Sequence, residues 1–390
     1  MKVVIYLATL FLSALSLSAQ IKLSDRAQIS LLTCSPSEEA VFTVYGHTAI
    51  RVCDSDNGMD IVFNYGLFDF SSDNFVYRFA KGKTDYKLGV SYFENFFNEY
   101  LIRGSGMTEQ ALNLTAGERD RIWEALQINM LPENISYRYN FFFDNCATRP
   151  AKIIEATVDG EVIYRDKPER KTFRELINHC MRNKPWLVFG CDLALGNPTD
   201  RVATPDETFF LPLFLEAAFD SAIIVSPGGG ERPLVAAKNI LLEEDGEQAG
   251  STVFTPMVAA LVCLTLILLL TALEGRKKTY LWADILLFTL AGLSGAVIFF
   301  LAFVSEHPAV WPNWSVVWLH PFHLLGAALF AVKRWSKAAY CYHFINFAAL
   351  TLMLTGWYLI PQHFNAAFFP LIVCLWIRSG RNIFISYKKA

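Results

Sequence analysis

The chain has 390 residues, enough for two or three domains, and 53% of them are hydrophobic, too many for a protein that works wholly in water. Membrane spans are therefore expected. The formal net charge of -3 comes without a basic block, which sets nucleic acid aside as a partner; the eight cysteines show no CxxC or clustered Cys/His spacing, so neither a zinc centre nor another cofactor is expected.

Residues 1–19 read as a secretory signal: Lys2, an apolar core from Val3 to Leu12, then small residues up to Ala19, with cleavage expected before Gln20. The expected organisation is this signal, a periplasmic thiol domain over 20–237, a linker over 238–255, five transmembrane helices over 256–377 and a cytoplasmic tail over 378–390. Within the thiol domain, residues 29–34 and 41–53 have the pattern of strands, DSDNG at 54–58 has hairpin chemistry, and residues 60–68 return as the second arm. With the turn centred near Ser55 or Asp56, His47 falls opposite Asn64 or Tyr65. Asn64 is then the candidate to orient the His47 imidazole, with Asp69 second, and a register slip of one residue reverses the face.

Residues 75–86 and 86–92 read as further strands, and residues 92–102 have helical spacing with Phe93, Phe96, Phe97 and Tyr100 on one core-facing side. Thr115 with Glu118 three residues on forms a capping box, opening a helix that carries Ile122, Leu126 and Met130 and closes at Pro132. The centre of the chain is YNFFFDNCATRP at 139–150. There an apolar run ends in Asp144 and Asn145, and Cys146 falls where a helix through Ala151, Ile153, Ile154 and Ala156 begins. Unpaired N–H groups and the dipole at a helix start favour the thiolate, which makes the sulfur a usable nucleophile. A nucleophile needs a base, and two histidines precede the membrane segments. His179 lies in a helix predicted over 169–183, where Arg174, Asn178 and Arg182 suggest an exposed face, which leaves His47.

The candidate catalytic set is Cys146, His47 and Asn64, supported by Asp69, Asn145 and Tyr45; a buried structural cysteine is the alternative for the local pattern. Cys34 with Cys53 and Cys180 with Cys191 are possible disulfides that would leave Cys146 free, and five free thiols fit equally well. Residues 205–224 are apolar almost all round with Pro212 inside, as a core helix or a segment lying on the bilayer. Residues 226–233 and 243–251 are polar and bound the linker region.

Apolar runs follow at 256–273, 281–304, 319–332, 338–360 and 366–377, the third and fifth needing flanking residues to cross. Arg276, Lys277 and Lys278 follow the first run, Lys333, Arg334 and Lys337 the third, and Arg378, Arg381, Lys388 and Lys389 the fifth. Connections 305–318 and 361–365 carry no Lys or Arg. The positive-inside rule then puts the basic loops and the C-terminus in the cytoplasm and the thiol domain in the periplasm of a bacterial inner-membrane protein. Between the second and third runs, Trp311, Trp314 and Trp318 stand among Glu306, His307, Asn313, His320 and His323. They read as an aromatic belt or, more sharply, as a lipid or substrate vestibule facing the thiol domain.

YGHTAIRV, NYGLFDF, FAKGKTDY, RGSGMTEQALNLT, YNFFFDNCATR and SEHPAVWPNW together resemble a Bacteroidetes membrane family formerly of unknown function and associated with lipoprotein N-acylation. That family is similar to NlpC/P60 and lecithin:retinol acyltransferase-like thiol enzymes, and the resemblance covers nearly the whole chain. It implies an α+β periplasmic domain of circularly permuted papain-like fold followed by an all-α five-span membrane domain. The implied activity is acyl transfer from a phospholipid donor, through a Cys146 thioester, to the amino group of a diacylated lipoprotein. A peptidoglycan amidase or cysteine peptidase of NlpC/P60 type explains the thiol pair but not the spans or the tryptophan loop. A non-enzymatic membrane interaction protein is the third reading.

Overall fold

The computed structural model describes residues 22–37, 41–67, 74–83, 85–165, 169–244, 253–274 and 280–387. The expected signal at 1–19, Asp69, and the basic residues Arg276, Lys277, Lys278, Lys388 and Lys389 lie outside them.

Strand β1 (Gln28–Cys34) alternates as a strand buried on both sides must, with Ile29 and Leu31 toward one face and Leu32 and Cys34 toward the other. It pairs antiparallel with β2 (His47–Asp54), which turns into β3 (Met59–Leu67) through Ser55–Asn57. Asp54 holds that turn by accepting from the Ser24 and Asn57 N–H groups and the Ser24 hydroxyl, and Gly58 supplies the left-handed residue at φ +61°. The chain continues through α1 (Phe75–Ala80), β4 (Asp85–Tyr92), α2 (Phe93–Ile102), β5 (Met107–Leu112), α3 (Ala116–Asn129), β6 (Ser136–Arg138) and α4 (Thr148–Thr157). Then come β7 (Glu161–Tyr164), α5 (Phe173–Cys180), α6 (Pro185–Ala194), α7 (Pro212–Ser221), β8 (Ala222–Val225), β9 (Glu231–Pro233) and β10 (Val235–Leu242).

The main sheet has the order β10-β5-β1-β2-β3-β4-β6, and β7-β8-β9 form a small second sheet. On one face α2 sets Phe96 and Tyr100 against Leu32, Ala49 and Val62. On the other, α3, α4 and α7 bring Ile122, Ile154 and Phe219 against Leu31, Ile50 and Phe63. Each fully buried aliphatic or aromatic side chain contributes about 1.5–3 kcal/mol, so two-sided burial holds the register against the one-residue slip that would reverse every side chain.

Several expectations change. The strand expected over 41–53 begins only at His47. A 3₁₀ turn, Val41–Tyr45, precedes it, and Gly46 breaks the run at φ +77°, where a Cβ would meet the Cys34 carbonyl oxygen at 2.6 Å. Residues 75–80 form a helix rather than a strand, because β3 already has β2 and β4 on its two edges and offers no vacant ladder. Residues 205–224 are not one helix. A 3₁₀ turn, Asp206–Phe210, leads to α7 with Pro212 in its first turn, and Phe210, Leu211, Leu215 and Phe219 bury in the core rather than rest on lipid. Strand β10 extends the sheet to Leu242, past residue 237. All eight cysteines are free thiols, and Cys34 and Cys53 lie at opposite ends of the β1–β2 ladder.

Among the described residues, five helical segments are long and apolar enough to cross a membrane: Pro256–Leu273, Leu281–Phe303, Trp314–Ala331, Lys333–Thr355 and Phe368–Ser386. Their main helices are α8 (Pro256–Leu273), α9 (Leu281–Phe303), α10 (Phe322–Ala331), α11 (Ser336–Thr355) and α12 (Phe368–Tyr387). The third reaches its length by adding the turn Trp314–Val317 ahead of Pro321. Arg378 does not begin a tail: α12 carries it on, fully buried, with Glu274 at 2.6 Å and Asp284 at 2.5 Å neutralising it. Trp311 and Trp314 are half exposed, as belt residues are, whereas Trp318 is buried against Phe368.

Candidate active site

The thiol is presented by the turn into α4. Asn145 accepts from the N–H groups of Ala147 and Thr148 through its side-chain oxygen (2.9 Å each), and its carbonyl takes the Arg149 N–H. That is N-cap behaviour one residue ahead of the cysteine. The amide nitrogen of Asn145 donates to the carbonyls of Phe141 and Phe210, so the cap is bolted to two neighbouring segments. The role of Asn145 is thus to fix the Cys146 backbone. Asp144 pairs with Arg149 at 2.7 Å and steadies the same turn.

His47 comes from the other layer. It opens β2 opposite Cys34, on the α2 face, with its ring stacked over Tyr100. Two glycines let the layers meet: Gly46 precedes the histidine, and Gly66, at φ +97°, would carry a Cβ 3.7 Å from that of Cys146. The β2–β3 ladder pairs Ile50 with Phe63; continued outward, it sets Gly66 opposite His47 and Asn64 two residues back on the same face. The register expected with Asn64 or Tyr65 opposite His47 is therefore displaced, but Asn64 keeps the correct side. Its Oδ1 lies 2.6 Å from His47 Nε2. An amide oxygen only accepts, so Nε2 carries a hydrogen and Nδ1 is the nitrogen left for the thiol.

Burial pushes the Cys146 thiol up, but the charge and hydrogen bond of His47, helped by the backbone N–H groups of Thr48 and of Cys146 itself, bring it below its ordinary value. For His47, burial pushes down, and Cys146 and Asn64 more than reverse it, so the imidazole is raised. Both shifts favour a thiolate–imidazolium pair. The N–H groups of Thr48 and of Cys146 are aimed at the sulfur.

The pair opens into a cleft of about 660 Å³ whose walls include Tyr86, Tyr139, Phe141 and Phe210. Its far wall comes from the membrane part: Glu306, His307 and Pro308 line the same cleft as Cys146 and His47. Of the 305–323 segment, these three residues face the thiol cleft, and the tryptophans are not among its lining. Phe79 of α1 and Arg138 of β6, which carry no local motif, line it too. Tyr45 contributes its ring, packed 4.9 Å from Phe141, while its hydroxyl turns away to Met181. His179 stands on the exposed side of α5, outside the cleft, but Arg174 beside it is buried rather than exposed, held by Asp192 and Asp200. Among the described residues no cluster of His, Cys, Asp and Glu has the form of a metal site.

Two family models match the chain: the Lnb N-terminal periplasmic domain over residues 18–179 and the Lnb transmembrane domain over residues 247–390. No curated protein and no solved structure matches it.

Proposed function

Because this chain belongs to the Lnb family, a membrane protein with a periplasmic N-terminal domain, we propose that it is a lipoprotein N-acyltransferase. In this reading it moves an acyl chain from a membrane phospholipid, through a Cys146 thioester, to the amino group of a diacylglyceryl-cysteine. The observation that carries the reading is the shared cleft, in which a thiol–imidazole pair faces residues that directly follow a membrane-length helix. A soluble cell-wall hydrolase has no use for that arrangement. The order of a strand histidine followed by a helix-start cysteine supports a circularly permuted papain-like fold of the NlpC/P60 or lecithin:retinol acyltransferase-like kind. The basic residues Lys333, Arg334 and Lys337 support a cytoplasmic C-terminus.

In the first half-reaction His47 Nδ1 takes the thiol proton and the sulfur attacks the ester carbonyl of the donor lipid. The oxyanion is met by the N–H groups of Cys146 and Thr48, the C–O bond breaks, and the leaving alkoxide receives the proton from Nδ1. In the second, the neutral amine of the acceptor attacks the thioester. Its proton passes to His47, the C–S bond breaks, and the thiolate–imidazolium pair is restored. Asn64 holds the ring throughout. Covalent storage of the acyl group means that the two lipids need not be bound together.

The test is mass spectrometry of lipoprotein N-terminal peptides from cells lacking the protein and complemented with wild type or Cys146→Ala. Wild type restores a third acyl chain and Cys146→Ala does not. Triacylated N-termini in the absence of the protein would end this reading and make wall-peptide cleavage the leading alternative.

A further inference from the structure

Helix α1 is built in a way that the thiol chemistry does not require. Of its six residues, Val76, Tyr77 and Phe79 are 78%, 57% and 46% exposed, an unusual display of apolar surface for so short an element. Its position is set by the membrane part. The Glu306 N–H donates to the Lys81 carbonyl at 2.8 Å, Lys83 pairs with Glu306 at 2.8 Å, and Gly82, at φ +73°, lies so close to the His307 backbone that a Cβ would sit 2.7 Å from its nitrogen. Glu306 follows Phe303, the last residue of α9, by three positions and bonds to Lys81, the residue after α1, so the end of α1 lies within about 17 Å of the end of a membrane-length helix. The headgroup layer on one side of a bilayer is about 5–8 Å deep. The exposed apolar side chains of α1 are thus within reach of the interface that lies above α9.

The charges around it have the matching sign. Among the described residues, Arg78, Lys81, Lys83 and Arg138 stand around two carboxylates, Asp85 and Glu306, so the described part of this rim carries excess positive charge where phosphates would lie. The inner side of the same element belongs to the site: Phe79 and His307 meet edge to face at 6.3 Å, and both line the cleft that holds Cys146.

We propose that α1 is a lip seated in the periplasmic leaflet, and that a phospholipid acyl chain passes sideways from the bilayer over α1 and along the cleft wall that Phe79 and His307 form together, to Cys146. The proposal rests on the acyl-transfer reading above and adds the route by which the donor arrives. The test uses the full-length protein in native membranes. A photoreactive benzoylphenylalanine at position 76 captures phospholipid on irradiation; no lipid capture at this position overturns the lip.

In a second arm, Val76→Asp combined with Tyr77→Asp lowers transfer from bilayer phospholipid at least about tenfold, as expected for removing one buried apolar side chain. Iodoacetamide still alkylates Cys146 in this variant at the wild-type rate, located by peptide mass, which shows that the thiol site is folded. Wild-type transfer by the double variant overturns the route. A Cys146→Ala protein that still transfers acyl chains would instead sink the thioester reading, and lipid capture at position 76 is decided independently of it.

Discussion

Replacing Asn64 with alanine tests the site at its most specific contact. The 2.6 Å bond from His47 Nε2 to Asn64 Oδ1 holds the imidazole from behind, and Cys146 and Asn64 together raise the imidazole and so favour its charged form. A hydrogen bond to a charged group contributes about 1.5–3 kcal/mol, which corresponds to a rate loss of roughly 10- to 150-fold if the bond is kept through the transition state. The fold has less at stake, since Asn64 is not part of either apolar cluster on the sheet. Two signatures separate positioning from a structural role. First, without Asn64 the imidazolium loses a stabilising acceptor, so the acid limb of Cys146 alkylation by iodoacetamide moves to higher pH. Second, turnover falls while KM for the acyl donor stays put, and Asn64→Asp, which offers an acceptor oxygen in the same place, restores turnover. An Asn64→Ala protein with an unchanged alkylation profile and turnover within about twofold of wild type would refute the assignment.

His47→Ala removes the largest of the influences that lower the Cys146 thiol and leaves burial opposed only by the N–H groups of Thr48 and Cys146, so alkylation at neutral pH falls and its onset moves to higher pH; wild-type alkylation at pH 7 would contradict the pairing. In the intact protein the sign runs the other way. The thiolate persists below the usual thiol value and the imidazolium above the usual histidine value, so transfer peaks between the depressed thiol and the raised imidazole and falls on both sides. Gly46→Ala lowers thermal stability by at least about 1–2 kcal/mol from its left-handed backbone alone, and by more because its Cβ meets the Cys34 carbonyl. Gly58→Ala, left-handed but in open space, is the control. Equal melting losses for the two would refute the claim that close packing on the Cys34 carbonyl requires a glycine at position 46.

The parts of this architecture legible in the sequence are those with local causes. The turn at residues 54–58 announces itself through Asp54 and Gly58, and the parity of a strand carries His47 and Asn64 to one face even though the register is displaced. The Thr115–Glu118 capping box and the start of α4 are written in short spacings. Other features have causes distant in the chain. Helix α1 looks like a strand until both edges of β3 are known to be occupied. Arg174 looks like a surface residue until Asp192 and Asp200 arrive to neutralise it. Nothing near Glu306 says that its backbone will bond to Lys81. The wall of the cleft built by residues 306–308 is therefore invisible to periodicity and composition, and only the tryptophans beside it draw attention to that segment.

Arg174 also shapes the segment by which the thiol domain contacts the membrane helices. Its guanidinium binds the Asp192 and Asp200 carboxylates and the carbonyls of Leu195 and Gly196, which fixes the chain from the end of α6 through residue 200. That fixed segment meets the membrane part. The Gly196 N–H donates to Ala309 at 2.8 Å, the Asn197 N–H to Pro312 at 2.9 Å, and Asp192 accepts from Asn365. Asn313 in turn donates to the Leu193 carbonyl, and Phe189 packs on Phe368 of α12. A flexible tether alone would only raise the local concentration of thiol near lipid to the millimolar range, with every orientation sampled. A dock made of directional backbone bonds removes the wrong orientations as well, and orientation is the larger part of what holding reactants together can contribute to a rate. One buried arginine, remote from the sulfur, thus links the fold of the periplasmic domain to the loops of the membrane part on which it docks.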